Sequence, residues 1–121
     1  MYVEIDFNSN EAIYIQLRNQ IIMGIATSVL QEGDTLPSVR QMAESIGINM
    51  HTVNKAYALL QDEGFLAIGR RGTVIVVDDD HEKALKTLRD DLTIALAKAS
   101  CRSITRAEVH ELIDDILGEY D

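Results

Sequence analysis

LPSVRQMAESIGINMHTVNKAYALLQDEGFLAIGRRGTVIVV, Leu36 to Val77, is the stretch on which the fold turns. Pro37-Ser38 opens a helix. Ser38 and Gln41 have the spacing at which each side chain satisfies the other's backbone N–H. Val39, Met42, Ala43 and Ile46 form an apolar stripe at steps of three and four. Gly47 follows directly, where a left-handed residue is wanted. Asn49 can cap a further helix, in which Val53, Ala56, Tyr57 and Leu60 share one face. Gly64 stops it. The period then falls from 3.6 to 2. Phe65 to Ile68 is one short run, Thr73 to Val77 is a β-branched second, and Gly69-Arg70-Arg71-Gly72 lies between them. That predicts a hairpin with a four-residue loop carrying two arginines.

Two short helices joined by a tight glycine turn make a helix-turn-helix, and the hairpin straight after makes it winged. On its N-terminal side, Tyr14, Leu17, Ile21, Ile22 and Ile25 predict a helix over about Glu11–Thr27, with Ser9 and Asn10 as starters. Met1 to Phe7 alternates loosely, as a short strand or an extended arm does. Gln31 to Asp34 is a turn. On the C-terminal side, Asp78-Asp79-Asp80 is a charged break suited to a linker. Leu85, Leu88, Leu92, Ala95 and Ala99 then keep helical spacing over Glu82–Ala99. Thr105 and Glu108 have capping-box spacing, and Val109, Leu112, Ile113, Ile116 and Leu117 stripe a last helix, Arg106–Leu117, ended by Gly118. The expected fold class is α+β, with a winged helix-turn-helix domain over residues 1–77 and a two-helix tail over 78–121.

Composition narrows the function. At 121 residues, 46% hydrophobic and 26% charged, the chain is sized for one or two small domains and is not broadly disordered. Its longest apolar runs are far short of the roughly 18 residues of a membrane span. No secretory leader is visible, and a single cysteine, Cys101, excludes a disulfide framework and a multi-cysteine zinc site. These features point to the cytoplasm, with no membrane partner. The net charge of −9 is unevenly spread. Residues 1–35 carry −4 and residues 78–121 carry −6, whereas residues 36–77 hold four basic side chains against three acidic ones. The locally basic segment is the winged stretch.

The chemistry of that segment fits a duplex. With Val53, Ala56, Tyr57 and Leu60 turned inward, His51, Lys55 and Ala58 face outward and Asn54 stands at the edge. An amide and an ammonium can reach base edges in the major groove, and a helix start favours phosphate. Thr52, one residue round, can donate to a phosphate. Arg40 can hold the adjacent strand, and Arg70 and Arg71 can grip a backbone or enter a minor groove.

These same residues resemble the winged-helix domain of GntR-family bacterial transcriptional regulators, and in their short tail the small YtrA-like subgroup. The most specific matches are Leu36-Pro37-Ser38-Val39-Arg40, then Asn49 with Thr52-Val53 and Lys55-Ala56-Tyr57, then Glu63-Gly64-Phe65 followed by Gly72-Thr73. The resemblance implies that Arg40 contacts phosphate, that Asn49, Met50, His51, Thr52 and Asn54 overlie the operator-contacting stretch, and that Gly69 to Gly72 is the wing tip. It also implies a double-stranded DNA operator as partner, a homodimer and a repressor. The dimer would form through Leu85, Leu88, Leu92, Val109, Leu112, Ile113 and Ile116. The large ligand-binding domain of most relatives is missing, which leaves a small-molecule effector open.

Other classes are weaker. A winged helix can serve as a protein–protein interaction module, and the acidic surface would suit one. No enzyme is expected, because Cys101 and His110 lack an orienting third group and an oxyanion hole. No cofactor or metal is expected either. Gly69 to Gly72 lacks the Lys-Ser/Thr ending of a nucleotide loop, and consecutive aspartates at 78–80 suit a helix start better than one ion.

Overall fold

The structure, a computed structural model, describes residues 2–70 and 72–121. In chain order the elements are α1 (Ile13–Ala26), β1 (Thr35–Leu36), α2 (Val39–Ile46), α3 (Met50–Asp62), β2 (Leu66–Gly69), β3 (Gly72–Ile75), α4 (His81–Cys101) and α5 (Arg106–Gly118). They fall into two units, Met1–Asp78 and Asp79–Asp121. The first is a winged helix-turn-helix and the second a pair of helices. Among the described residues no helix is long and apolar enough to cross a membrane.

In the first unit the caps form as the residue types dictate. The Ser38 hydroxyl accepts from the Gln41 amide at 3.1 Å, and the Gln41 carboxamide accepts from the Ser38 amide at 3.1 Å. Gly47 closes α2 at φ 72°, a left-handed conformation that costs a Cβ-bearing residue and glycine nothing. The Asn49 side chain caps α3 by accepting from the His51 amide at 2.7 Å. The inner faces of α1 and α3 then meet. Leu17, Ile21, Val53, Tyr57, Leu60 and Ile75 are fully buried, with Met42 and Ala43 of α2 beside them. Inside this core the Tyr57 hydroxyl donates to the Pro37 carbonyl at 2.8 Å, tying α3 to the entry of α2. Burial pushes that phenol up to about 12.

The sheet holds one strand more than expected. Its order is β1-β3-β2, all antiparallel, with Thr35 opposite Val74 and Leu36 opposite Thr73. A two-residue strand has no periodicity to read. It exists because Ile75 lies alongside the turn, donating its amide to the Asp34 carbonyl at 2.8 Å and accepting from Gly33 at 2.9 Å. The hairpin loop is also tighter than expected. Gly69 pairs with Gly72, so the two glycines end the strands and only residues 70 and 71 connect them.

The N-terminal region corrects one further expectation, and of the strand and the extended arm that its first residues left open it takes the arm. Ser9 and Asn10 do not start α1. Ala12 holds the cap position without a side-chain bond, and the Ser9 hydroxyl accepts from the Glu11 amide instead. Residues 2–6 join no sheet and run as an arm along α1. Val3 and Ile5 pack against the core, while two glutamines hold the backbone between them. The Gln16 carboxamide accepts from the Asp6 amide at 2.9 Å and donates to the Asp6 carbonyl at 3.1 Å. Gln20 makes the same pair of bonds to the amide and carbonyl of Glu4.

In the second unit, Asp80 accepts from the Lys83 amide at 3.2 Å, so the acidic run serves the start of α4. Thr105 and Glu108 form the capping box of α5. Glu108 is held below the usual carboxylate range by the Thr105 backbone amide first and its hydroxyl second. α4 runs slightly past both of its expected ends, whereas α5 starts at Arg106 as expected and runs on to Gly118. Cys101 closes α4 as an exposed helical residue, and Gly118 lies inside α5. Neither helix buries a residue, and the two share no packed interface.

Candidate nucleic-acid interface

The outward surface of α3 is set by its inward one. Once Val53, Ala56, Tyr57 and Leu60 are consumed by the core, helical geometry turns His51, Asn54 and Lys55 out, and all three are exposed. Met50 is exposed at the first position, and Thr52 is half-buried on the flank. Asn49 is exposed as well, but its carboxamide oxygen is engaged in the cap, so its remaining capacity is as a donor. The cap matters to the site. It fixes the helix start, and with it the positive end of the dipole, at the edge where an anion would approach.

Arg40 occupies the second position of α2 and is exposed. Ser38 and the Tyr57–Pro37 bond hold that turn against α3, so the arginine's origin is rigid although its head is free to reach. At the wing tip Arg70 and Gly72 are exposed, and Gly72 takes φ 92°. That left-handed conformation, open to glycine, starts β3 directly after the turn. Arg71 lies outside the described residues.

Sequence reading missed one partner of this surface. The Lys55 ammonium stands 4.4 Å from the centroid of the Tyr14 ring on α1. Tyr14 belongs to the apolar stripe of its helix, and no local pattern links it to a lysine on another helix. The one ion pair among the described residues, Arg18 with Glu63 at 2.7 Å, also joins α1 to the end of α3. The described residues include no cluster of three or more potential metal ligands. A hollow of about 260 Å³ lined by Leu30, Leu36, Met42 and Ile46 lies between the arm and α2 and carries no carboxylate or cation.

The expected dimer residues all lie in the second unit. Leu85, Leu88, Leu92, Leu112, Ile113 and Ile116 are exposed, and Val109 is half-buried.

Comparison with known proteins agrees with this architecture. Residues 10–76 match the family model described as bacterial regulatory proteins, gntR family. The chain is 31% identical over 121 residues to the HTH-type transcriptional repressor YtrA of Bacillus subtilis (strain 168), spanning 97% of this chain and 93% of that one. Its fold is similar to a transcriptional antiterminator from Listeria monocytogenes EGD-e, with TM-score 0.85, 29% identity, and 99% and 92% of the two chains covered. It is also similar to YtrA from Sulfolobus acidocaldarius, a GntR-family transcription factor, with TM-score 0.63, 36% identity and 97% of each chain covered.

Proposed function

The chain belongs to the GntR family of bacterial regulatory proteins, a family of DNA-binding transcription regulators rather than enzymes, and we propose that it acts as a sequence-specific homodimeric repressor that occupies promoter DNA in the cytoplasm. The observation that carries this reading is the outward face of α3. It offers His51, Asn54 and Lys55 from a capped helix start, and Arg40 on α2 and Arg70 at the wing tip are exposed as well. In this reading α3 lies in the major groove, with His51 and Asn54 on base edges. Arg40, Lys55, Arg70 and Arg71 hold phosphates on either side. A near-full-length relative that carries the name repressor supports the direction of regulation.

The dimer reading rests on the second unit. Leaving a leucine or isoleucine in water forgoes about 1.5–3 kcal/mol relative to burying it, and nine such residues stand exposed on α4 and α5, six of them among the expected dimer residues. A second copy offering the same stripes would cover them and would pair two recognition helices with two half-sites.

Selection of bound duplexes from a random pool tests the proposal and is expected to return a symmetric site. Affinity for it should fall with salt at a log–log slope of about −5 to −7, because roughly six to eight phosphates are neutralised across the dimer. His51→Ala should alter the preferred sequence, whereas Arg71→Ala should weaken all duplexes alike. A folded dimer that retains no duplex, or binding indifferent to salt, would instead favour a protein–protein interaction module.

A further inference from the structure

We propose that Tyr14 is a positioning residue for Lys55, so that the lead-in helix α1 takes part in DNA binding without touching DNA. The inference deepens the reading above and rests on it. The Lys55 ammonium sits 4.4 Å from the Tyr14 ring centroid, within the range over which a ring face attracts a cation. Tyr14 makes a firm platform, because it packs against the core and α1 packs along α3. Lysine otherwise carries its charge on a flexible four-carbon stem whose freedom must be given up on binding.

What holds the ammonium matters as much as the fact that it is held. A carboxylate partner would restrain it but cancel its charge toward phosphate. Among the described residues the recorded ion pair is Arg18 with Glu63, and Lys55 has no carboxylate within pairing distance. An aromatic face restrains the head by its quadrupole and leaves both the positive charge and the N–H donors available. The ring, not the hydroxyl, does this. Lys55 thus enters the groove already confined, and the entropy cost of ordering it falls on folding rather than on binding.

The test uses the full chain and the duplex returned by selection, with affinities measured by fluorescence anisotropy for Tyr14→Phe, Tyr14→Leu, Lys55→Met and the Tyr14→Leu/Lys55→Met double variant. Tyr14→Phe should bind as the native chain does. Tyr14→Leu should weaken binding about two- to five-fold, the scale of an exposed cation–π contact. In the Lys55→Met background the same substitution should cost nothing further, which a merely structural role for Tyr14 would not produce. An equal loss in both backgrounds overturns the inference. So does tighter binding by Tyr14→Leu, or a Tyr14→Phe loss as large as that of Tyr14→Leu. Lys55→Met that binds like the native chain overturns it too. A variant-free check covers the case in which Tyr14→Leu does not fold. The Lys55 ε-methylene protons of the native chain should show a ring-current shift, and its absence overturns the inference. A native chain that binds no duplex fails the parent reading, and is thereby distinguished from all these outcomes.

Discussion

The two units of this molecule are built from the same kind of sequence and end in opposite states. Residues Met1–Asp78 carry amphipathic helices, α2 and α3 capped by side chains, whose apolar faces vanish into a core around Tyr57 and Leu60. Residues Asp79–Asp121 carry two capped amphipathic helices of which no residue is buried. The capping box of α5 is as complete as that of α2. Local signals therefore decide that a helix forms and where it starts, but they do not decide what its apolar face meets. In the first unit a second helix and a sheet supply the answer. In the second the chain does not supply it, and another copy is the proposed source.

That contrast can be broken most forcefully at the packed end. Leu60→Ala, at a fully buried site, should cost about 2–5 kcal/mol and lower the unfolding midpoint whatever the protein concentration. Ile113→Asp on α5 should behave differently. Native unfolding should shift with protein concentration, as expected of a dimer, and this variant should lose that dependence, sediment at half the mass and bind a two-site operator at least about ten-fold more weakly. If the variant stays dimeric, the unburied stripe is not the interface. A smaller effect is expected within the core. The Tyr57 phenol is raised from 10.0 to about 12, so the fold favours its neutral form. Its contribution is complete below pH 10 and is lost as pH rises toward 12, where the native chain should destabilise more steeply than Tyr57→Phe in denaturant titrations across that window. The smallest effect belongs to the second unit. Glu108 is lowered mainly by the Thr105 backbone amide and then by its hydroxyl, so Thr105→Ala should raise its titration midpoint only in part, read by carboxyl NMR. The matching stability is present at neutral pH and fades as pH falls through the Glu108 midpoint.

Legibility followed the same division between local and distant causes. The caps at Ser38, Asn49 and Thr105, the left-handed Gly47 and the inward set of α3 could all be read, because each depends on residues within a turn or two. So could the exposure of His51, Asn54 and Lys55, as the complement of a buried face. What stayed hidden was set by remote contacts. β1 exists only through its pairing with β3, and the glycines of the wing became strand ends through cross-strand register. The ring beneath Lys55 comes from α1. Ser9 and Asn10 have the chemistry of helix starters, yet the chain between the arm and α1 is held by Gln16, which donates to Glu11 as well as to Asp6.

The two glutamines that hold the arm have a metrical consequence. Four residues of helix advance about 6 Å and two residues of extended chain about 6.6 Å, so Gln16 and Gln20 can face Asp6 and Glu4 at once. A carboxamide presents a donor and an acceptor side by side, as the N–H and C=O of one extended residue do, and α1 thereby imitates the edge of a neighbouring strand. Successive peptide groups point to opposite sides, so a slip of the arm by one residue would turn both rungs away from their partners. The arm can be reseated only in steps of two.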